Sequence, residues 1–491
     1  MVGPILSEFG RPLVELPPLL LDRNGERPLA VQLADALRAV TAGGTLRAGE
    51  RLPSTRELAA TLGVSRTVTA AAYDQLLAEG WAVGRRGAGT FVVGAPAGPP
   101  AARRPSAPPE ADRDGEHGAI SLRAGTPCLE VLDRAAWRRA WRAAADPPPD
   151  AAPDPVGLPA FRAAVVEHLL RHRGLPVDPA QVLATGGSTA AVAELARTLP
   201  AGARVAVEEP GYQRGVAALQ TAGLTVARVP VDGAGLVVDA LPPGLAAVYC
   251  TPAHQYPLGA RLSAARRMAL VERARAEGFL VIEDDYDGEL RYDVAPLPLL
   301  AALGPDVVAH LGTVSKLLTP TLGAGWLVVP PAVRAAILDQ RYRTGARPAP
   351  AGQRVFVALA AHGDLARHLR RLRRELAERR VAVAVAVRAA GHILEGDAAG
   401  AHVLVPLPGL GAEQSVVAAA AAGGVTLDGL ARHHAGDPDR AGIVLGYAEP
   451  RRAELERGLA VVTDVLARCT PAVTATASPV DLPGRPSRRD R

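Results

Sequence analysis

Lysine is almost absent from this sequence. Of the 55 basic residues among 491, 54 are arginine, and Lys316 is the one lysine. The alanine-, glycine-, proline- and arginine-rich composition is typical of a GC-rich coding sequence, in which arginine replaces lysine wherever only positive charge is required. Arginine stays protonated in any protein environment, whereas a desolvated lysine can lose its proton and become a nucleophilic amine. Lys316 is therefore a candidate Schiff-base lysine, and the alternative is a surface lysine retained by chance.

Cysteine and long apolar runs are scarce as well. The three cysteines, Cys128, Cys250 and Cys469, are far apart and odd in number, which argues against a disulfide framework and favours a reducing, cytoplasmic location. No apolar run reaches the length of a membrane span, and the N-terminus lacks a basic stretch followed by an apolar core, so we predict neither a membrane span nor a signal peptide. The net charge of +5 permits nucleic-acid binding without demonstrating it.

Composition divides the chain into four segments. Residues 1–94 carry helical patterning and end in a glycine-rich turn with a short strand. Residues 95–118 are rich in proline, alanine and charge without an apolar period, which predicts a flexible linker. Residues 119–470 alternate short apolar runs with longer amphipathic stretches, whereas residues 471–491 are rich in proline, serine and arginine and are predicted to be disordered.

The long third segment is predicted to be an α/β domain. Its apolar runs include residues 204–208, 246–250, 280–283 and 326–329. Such runs between amphipathic stretches are typical of βαβ units and a mostly parallel sheet. The basic run at 368–380 could be interpreted as a DNA-binding segment, but its leucines recur at helical spacing and favour an amphipathic helix with a solvated face.

The N-terminal segment contains the pattern of a helix-turn-helix. A helical stretch from Leu29 to Val40 is followed by a second helix, for which Ser54 or Thr55 is a suitable N-cap. Gly63 ends that helix, and a third begins at residues 65–67. A glycine between two short helices is typical of the helix-turn-helix turn, although a small helical bundle that happens to carry arginines would show the same spacing.

The residues themselves extend this pattern. The segments Leu52-Pro-Ser-Thr-Arg-Glu-Leu-Ala59, Gly63-Val-Ser-Arg-Thr67 and Gly89-Thr-Phe-Val92 resemble the winged helix-turn-helix of the GntR transcription-factor superfamily over about residues 27–94. An arginine at the start of the recognition helix can pair with a guanine edge, while hydroxyls position the backbone. The predicted contacts with double-stranded DNA are Arg51, Ser54, Arg56, Ser65, Arg66, Thr67, Thr69, Arg86, Gly87 and Gly89.

A second group of residues surrounds Lys316. Residues 281–287, Val-Ile-Glu-Asp-Asp-Tyr-Asp, form a predicted strand that leads into an acidic turn. A carboxylate there could hold a pyridine nitrogen protonated and a tyrosine hydroxyl could bond a phenolate oxygen, as a pyridoxal phosphate ring requires. Without the lysine, a solvated acidic loop or a hard-cation site would be the preferred interpretation.

Further upstream, residues 184–190, Ala-Thr-Gly-Gly-Ser-Thr-Ala, follow a predicted strand and open an alanine-rich helix. Small residues and hydroxyls at a helix N-terminus can hold a phosphate. Tyr212 could stack on the cofactor ring, and His254 and Gln255 could meet the ring from the side, although each could equally be a core or turn residue.

These segments together resemble the fold-type I, aminotransferase-like domain of the MocR subfamily of GntR regulators, over roughly residues 119–465. The resemblance implies pyridoxal phosphate as cofactor, a small amino compound as effector, and a head-to-tail homodimer. It implies that Lys316 carries the cofactor, Asp284 pairs with the pyridine nitrogen, Tyr286 bonds the ring oxygen, and Tyr212 stacks or gates. The residues expected at the phosphate are Ser188, Thr189, Thr313 and Ser315. Arg214 is expected to face the effector carboxylate.

The sequence also departs from the family pattern. The family usually has an arginine seven residues after the lysine that clamps the phosphate, but Gly323 occupies that position, and Leu317 replaces the usual threonine. The strand on which many aminotransferases bind the substrate carboxylate reads Ile-Val-Leu-Gly-Tyr at 443–447, so Arg440 is the nearest candidate. Losing one partner of a buried charge pair costs about 2–5 kcal/mol.

Three functions are compatible with these patterns. The first is a DNA-binding transcriptional regulator that senses pyridoxal phosphate or an amino compound, with no residues assigned to catalysis and neither a metal nor a membrane as partner. The second is an aminotransferase that carries a DNA-binding domain, which Gly323 and the segment around Val444 disfavour. The third is a regulator whose degenerate pocket binds no cofactor, which the retained Lys316 disfavours.

Overall fold

The computed structural model describes residue 19 and residues 21–23, 27–85, 88–93, 118–148, 153–292 and 298–469. Contacts between Cα atoms divide the chain into two compact units, residues 1–113 and 114–491. The predicted tail at 471–491 and all but the last residue of the predicted linker at 95–118 lie outside the described residues.

The described part of the first unit contains three helices and a two-stranded sheet. The elements are α1 (Leu29–Ala42), α2 (Thr55–Leu62), α3 (Arg66–Ala78), β1 (Ala82–Arg85) and β2 (Gly89–Val92). The two strands are antiparallel, with Ala82 opposite Val92 and Arg85 opposite Gly89. Backbone hydrogen bonds from the 49–52 segment to β2 extend this hairpin on one side.

Capping residues set the bounds of α2 and α3. The Ser54 hydroxyl accepts a hydrogen bond from the Glu57 N–H, and the Glu57 carboxylate accepts one from the Ser54 N–H, which completes a capping box. Gly63 ends α2 in the left-handed region, with φ 62°, where a residue without Cβ is favoured. Ser65 then caps α3 through the Val68 N–H.

The core of this unit is built from all three helices. Leu33, Leu37, Leu58 and Leu76 are buried together, because apolar residues at helical spacing place one face of each helix inward. The Tyr73 hydroxyl donates a 2.8 Å hydrogen bond to the carbonyl of residue 53, which ties α3 to the segment before α2.

A large mixed sheet dominates the second unit. Its strands are β4 (Val182–Thr185), β5 (Arg204–Glu209), β6 (Thr225–Asp232), β7 (Gly235–Leu236), β8 (Ala247–Cys250), β9 (Leu280–Asp285), β10 (Val308–Thr313) and β11 (Gly325–Val328). The spatial order is β4-β11-β10-β9-β8-β5-β6-β7. Strands β10, β9, β8, β5 and β6 run parallel to one another, whereas β11 is antiparallel to both β10 and β4, and β7 is antiparallel to β6. The sheet is therefore mostly parallel, as predicted.

Helices cover this sheet, and two smaller sheets follow. The helices are α4 (Arg134–Ala145), α5 (Pro159–Arg173), α6 (Ser188–Ala196), α7 (Gln213–Thr221), α8 (Ala264–Glu277), α9 (Leu300–Leu303), α10 (Pro331–Thr344), α11 (Pro350–Ala361), α12 (Asp364–Ala389), α13 (Leu410–Ala422) and α14 (Arg452–Ala467). The smaller sheets contain β3 (Ile120–Ser121), β12 (His402–Leu407), β13 (Val425–Thr426), β14 (Asp428–Gly429) and β15 (Ala441–Gly446). They are ordered β12-β15-β14 and β13-β3.

The basic run at 368–380 lies inside α12. Leu369, Leu372 and Leu376 are buried in the main core, so the run forms the predicted amphipathic helix. Arg379 is buried as well, and its guanidinium donates to Glu375, at 2.8 Å, and to Glu130. At least one arginine of the run is therefore part of the fold and not available to a nucleic acid.

Candidate cofactor pocket and nucleic-acid interface

A cavity of about 510 Å³ lies at the carboxyl ends of the central strands. Its lining includes residues that directly follow β4, β5, β8, β9 and β10. Loops at this edge of an open α/β sheet are where such folds bind ligands. Nine of the predicted pocket residues line the cavity: Ser188, Thr189, Tyr212, Arg214, Asp284, Tyr286, Thr313, Ser315 and Lys316.

Lys316 lies three residues beyond β10, and its ammonium group donates a hydrogen bond to the Gly125 carbonyl. Burial lowers the pKa of Lys316, against the opposing effect of the Asp287 and Asp284 carboxylates, and Arg214 lowers it further. A lowered pKa increases the fraction of neutral amine, which is the form that attacks a carbonyl. The side chain therefore has the environment that the sequence analysis expects.

Asp284 lies near the end of β9 and is buried. The Tyr249 hydroxyl donates a 2.7 Å hydrogen bond to Oδ2 of Asp284, while Oδ1 is buried without a partner among the described residues. Burial raises the pKa of Asp284 to about 6, and the hydrogen bond from Tyr249 opposes that rise. Because an unpaired buried carboxylate oxygen is costly, Oδ1 fits a protonated pyridine nitrogen.

The neighbouring carboxylates have other partners. Asp285 forms a two-pronged ion pair with Arg173, at 2.6 and 2.8 Å. Glu283 accepts the N–H groups of Leu300 and Ala301 at the start of α9, at 2.7 and 3.0 Å. The acidic turn is therefore neither a solvated loop nor a convergent set of cation ligands.

Four hydroxyl-bearing residues and a helix terminus form the other end of the cavity. Ser188 and Thr189 begin α6, whose first backbone N–H groups have no partner within the helix. The Thr313 hydroxyl donates to the Ser315 hydroxyl at 2.9 Å, and the Thr189 hydroxyl lies 3.1 Å from that of Tyr212. Hydroxyls around a helix N-terminus fit a phosphate.

Gly323 ends a short 3-10 helix (Pro320–Leu322) in the left-handed region, with φ 53°. No atom lies within 4 Å of the position that its Cβ would occupy. The arginine of the family pattern is therefore not replaced by another side chain at this point. The arginines that line the cavity are Arg214 and Arg432.

Tyr286, His254 and Gln255 differ in part from the expectation. The Tyr286 hydroxyl donates a 2.9 Å hydrogen bond to the His254 carbonyl. This hydrogen bond must break before the hydroxyl can donate to a ring oxygen of the cofactor. Nδ1 of His254 lies 2.8 Å from Oδ2 of Asp287. The side-chain amide of Gln255 donates hydrogen bonds to the carbonyls of residues 210 and 256, which stabilises the turn in which Gln255 lies. Tyr286 lines the cavity, but His254 and Gln255 are buried outside its lining.

Arg440 does not reach the cavity. Its guanidinium donates to Glu395 at 2.7 Å, and it is not a lining residue. Arg432, from a 3-10 helix (Leu430–His433), lines the cavity instead, together with Asp428 and His433. No sequence pattern indicated this group, because only the packing of the small sheet brings it to the pocket.

The cavity therefore fits pyridoxal phosphate: the Lys316 amine, the unpartnered Oδ1 of Asp284 and the hydroxyls around α6 match its aldehyde, ring nitrogen and phosphate. When bound, this cofactor supplies an aldehyde that condenses reversibly with primary amines. Lys316 would hold it covalently, Asp284 would keep the ring nitrogen protonated, and Ser188, Thr313 and Ser315 would donate to the phosphate.

The candidate DNA interface lies on α2, α3 and the hairpin. Arg51, Arg56, Ser65, Arg66 and Thr67 are exposed, as a DNA-contacting surface requires. Ser54 and Gly89 are exposed as well, although the Ser54 hydroxyl is engaged in capping α2. Arg86 and Gly87 lie outside the described residues.

Thr69 is a correction to the predicted interface. It is fully buried, and its hydroxyl donates to the carbonyls of Thr55 and Arg66, at 2.8 and 3.0 Å. The side chain therefore holds α2 against α3 and is not presented to solvent. Its position on the inner face of α3 follows from helix packing, which sequence spacing alone left undecided.

Comparison with known proteins assigns two stretches of the chain to families. Residues 29–92 match the family model described as bacterial regulatory proteins, gntR family, and residues 118–426 match aminotransferase class I and II. The sequence is 35% identical to the HTH-type pyridoxine biosynthesis transcriptional regulator PdxR of Corynebacterium glutamicum, covering 91% of this chain and 98% of that protein. It is 33% identical to the probable rhizopine catabolism regulatory protein MocR of Rhizobium meliloti, covering 88% and 92%. This chain belongs to the MocR subfamily of GntR regulators.

Solved structures that resemble this MocR-type chain include aminotransferases. An archaeal alanine:glyoxylate aminotransferase superposes with a TM-score of 0.67 at 24% identity, covering 71% of this chain and 91% of that one. At that identity the likeness establishes the fold-type I architecture only. The regulators named above cover nearly the whole chain, so the protein is a DNA-binding transcriptional regulator with an aminotransferase-like domain. Within the described residues, no helix combines the length and apolar character needed to cross a bilayer.

Proposed function

We propose that this regulator holds pyridoxal phosphate at Lys316 and uses it to sense a primary-amine effector. The buried, unpartnered Oδ1 of Asp284 carries the proposal, because a buried acceptor of this kind is explained by a ligand that donates to it. The lowered pKa of Lys316, caused by burial, supports the same assignment.

Two features of the pocket favour sensing of an effector over turnover of a substrate. Val444 is fully buried on the strand where many aminotransferases bind the substrate carboxylate, and residues 443–447 include no arginine. Gly323 stands where the family clamps the phosphate. An effector that binds beside Lys316 can change DNA affinity only if it binds two arrangements of the protein with different affinity. We therefore expect the amine to alter operator binding without sustained release of product.

The decisive test is a titration of the purified protein with pyridoxal phosphate, followed by borohydride and peptide mass mapping. We expect a visible absorption band, and its reduction should leave the cofactor on the peptide that contains Lys316, the one lysine of the chain. Lys316→Ala should lack both signals, and Lys316→Arg provides a control that keeps the charge. A band of equal strength in both variants would contradict the proposal.

A second signal is supported by Gly323 and by the name of the Corynebacterium relative, a pyridoxine biosynthesis regulator. Without an arginine at position 323, cofactor affinity is expected to be low enough for occupancy to follow the free cofactor concentration. In that case the cofactor alone would be the effector. Footprinting of the DNA that flanks the gene, with and without pyridoxal phosphate and without any amine, separates the two cases.

Three further predictions belong with this function. We propose a head-to-tail homodimer on double-stranded DNA, which light scattering and footprint length would test. We also propose a cytoplasmic location, on the basis of the cysteine content. Residual transaminase activity is checked by incubation with amino donors and keto acids: sustained turnover without any protected duplex would favour the enzyme over the regulator.

A further inference from the structure

The outward side of α4 carries arginines and no carboxylate. Ala136, Ala140 and Ala144 are buried along one side of this helix, so its other sides face solvent. The exposed arginines on those sides are Arg134, Arg138, Arg139 and Arg142. Because residues 134–145 include neither aspartate nor glutamate, no side chain of the helix itself offsets this positive charge.

The first half of α12 carries a second row of exposed arginines. Arg367, Arg370 and Arg374 are all exposed, on the solvated side of a helix whose Leu369 and Leu372 are buried. Arg370 and Arg374 belong to the basic run at 368–380. The amphipathic helix that the run forms therefore still presents part of its positive charge to solvent.

Two interactions bring the rows of arginines on α4 and α12 together. The carboxylate of Asp364, the first residue of α12, lies 3.1 Å from the guanidinium of Arg139 and 2.6 Å from that of Arg367. The backbone N–H groups of residues 136 and 135 lower the pKa of Asp133, which caps α4, and the charges of Arg371 and Arg139 lower it further. The start of α12 therefore lies beside the middle of α4, and Arg371 lies near the start of α4, so both rows belong to one surface.

Four arginines of this surface form no hydrogen bond or ion pair within the described part of the chain. They are Arg138 and Arg142 on α4 and Arg370 and Arg374 on α12, and we call the region that they form the α4–α12 surface. The members of each pair are four positions apart, which places them about 6 Å apart along the helix axis. Like charges at this spacing repel each other, so an anion that binds between them relieves a repulsion already present in the free protein.

We propose that the α4–α12 surface binds the phosphate backbone of double-stranded DNA, beside the bases that the N-terminal unit reads. The protein is a DNA-binding regulator, and duplex DNA carries one negative charge per about 1.7 Å of its axis. Guanidinium groups pair readily with phosphate oxygens. Phosphate contacts carry no base information, so this surface adds affinity without sequence preference. None of the four arginines lines the cofactor cavity, so the proposal does not depend on pyridoxal phosphate.

The test compares the full-length protein with two double variants, Arg138→Gln/Arg142→Gln and Arg370→Gln/Arg374→Gln. Fluorescence anisotropy is measured over a series of salt concentrations, with DNA that flanks the gene and with a duplex of equal length and shuffled sequence. Each double variant should weaken binding to both duplexes by the same factor, about 10-fold at moderate salt, and should reduce the slope of log affinity against log salt by about 2. Arg138→Lys/Arg142→Lys keeps the charge and should keep most of that slope.

Arg388→Gln/Arg457→Gln is the matched control, because both arginines are exposed on helices away from this surface and the substitution removes the same net charge. Its affinity for DNA should stay within about twofold of that of the parent, since salt screens distant charges. The melting temperature of every variant should equal that of the parent, because the replaced side chains are exposed.

Three results would overturn the proposal. An equal loss of affinity in the control would assign the effect to net charge and not to this surface. A loss of preference for the flanking DNA over the shuffled duplex would place the arginines at bases and not at phosphates. Unchanged DNA affinity in both Gln double variants, together with loss of binding to phosphatidylglycerol vesicles, would assign the surface to an anionic membrane.

Discussion

The Tyr249 hydroxyl donates a 2.7 Å hydrogen bond to Oδ2 of Asp284, and Oδ1 of the same carboxylate remains buried without a partner in the described part of the chain. One oxygen is thus held in place while the other is directed at a ligand. The carboxylate of Asp284 is therefore positioned through one oxygen and available to a ligand through the other.

Replacing Asp284 should stabilise the cofactor-free protein in a pH-dependent way. Burial raises the pKa of Asp284 in the folded protein to about 6, from the ordinary aspartate value of 3.8. The carboxyl therefore costs nothing when protonated and destabilises the fold increasingly as pH rises from about 4 to 6. Asp284→Asn should therefore gain about 1 kcal/mol more at pH 8 than at pH 5. Urea denaturation at both values measures this difference.

A stability change of Asp284→Asn that is the same at both pH values would contradict the ionised state assigned to Asp284. The same variant should bind pyridoxal phosphate more weakly, since an amide does not hold the ring nitrogen protonated.

Gly323→Arg should strengthen binding of the phosphorylated cofactor. The space around the Cβ position is open, and hydrogen bonds to charged groups contribute about 1.5–3 kcal/mol. The cost of about 1–2 kcal/mol for a left-handed residue with a side chain lowers the stability of the folded protein with or without the cofactor. We expect roughly 10-fold tighter binding of pyridoxal phosphate and no gain for pyridoxal, as followed by absorbance titration.

Gly323→Gln carries the same backbone cost without the charge, and it should bind both vitamers slightly more weakly than the parent. An equal gain for pyridoxal and its phosphate in Gly323→Arg would show that the introduced side chain does not act on the phosphate.

Substitution of Arg66 should affect DNA binding, whereas substitution of Thr69 should affect stability. Arg66 is exposed at the start of α3, so Arg66→Ala should lower operator affinity by about 1–3 kcal/mol without changing the melting temperature. Thr69 is buried with two hydrogen bonds, so Thr69→Val should destabilise the N-terminal unit by about 1–2 kcal/mol. Fluorescence anisotropy with flanking DNA and thermal melting are measured on both variants.

The cofactor spectrum should be the same in Arg66→Ala and in the parent protein. Joint loss of DNA binding and of the cofactor band in Arg66→Ala would indicate misfolding and would contradict the assignment of Arg66 to the interface.

The ion pair between Arg173 and Asp285 should be important for folding. Their side chains are 1% and 2% exposed, and removing one member of a buried pair leaves an uncompensated charge, at a cost of about 3–5 kcal/mol. Arg173→Met should lower the free energy of unfolding of the second unit by that amount, as measured by chemical denaturation.

Arg171→Met provides the comparison, because Arg171 pairs with Glu167 at the surface, where both side chains are more than half exposed. Its expected effect is within about 0.5 kcal/mol. Similar effects of the two substitutions would mean that the buried pair does not hold Asp285 in place.

Much of the pocket could be predicted because its residues follow buried strands. Lys316, Thr313 and Ser315 lie at or after the end of β10, and Ser188 follows β4, so the topology of a parallel sheet brings them to one edge. Arg432 and His433 could not be predicted in this way. They reach the cavity through a 3-10 helix of the small sheet, and neither periodicity nor a motif marks that contact.

The bounds of the helices and strands follow from local sequence. Ser54, Gly63 and Ser65 set the ends of two helices through capping and a left-handed turn, and the apolar runs of the second unit became buried strands because they could not be solvated. The ends of these helices and the positions of these strands depend on residues a few positions away in the chain, so they can be predicted from the sequence.

Which polar atoms remain available to a ligand depends on tertiary packing. Asp284 and Asp285 are adjacent and chemically identical, but successive side chains of a strand point to opposite faces. The packing of α5 brings Arg173 to Asp285 and leaves Asp284 facing the cavity. The same holds for Thr69, which helix packing turned inward, and for Arg432, which Asp428 holds beside Val444. Which neighbour satisfies a polar group depends on residues distant in sequence, and so it is settled only when each unit folds.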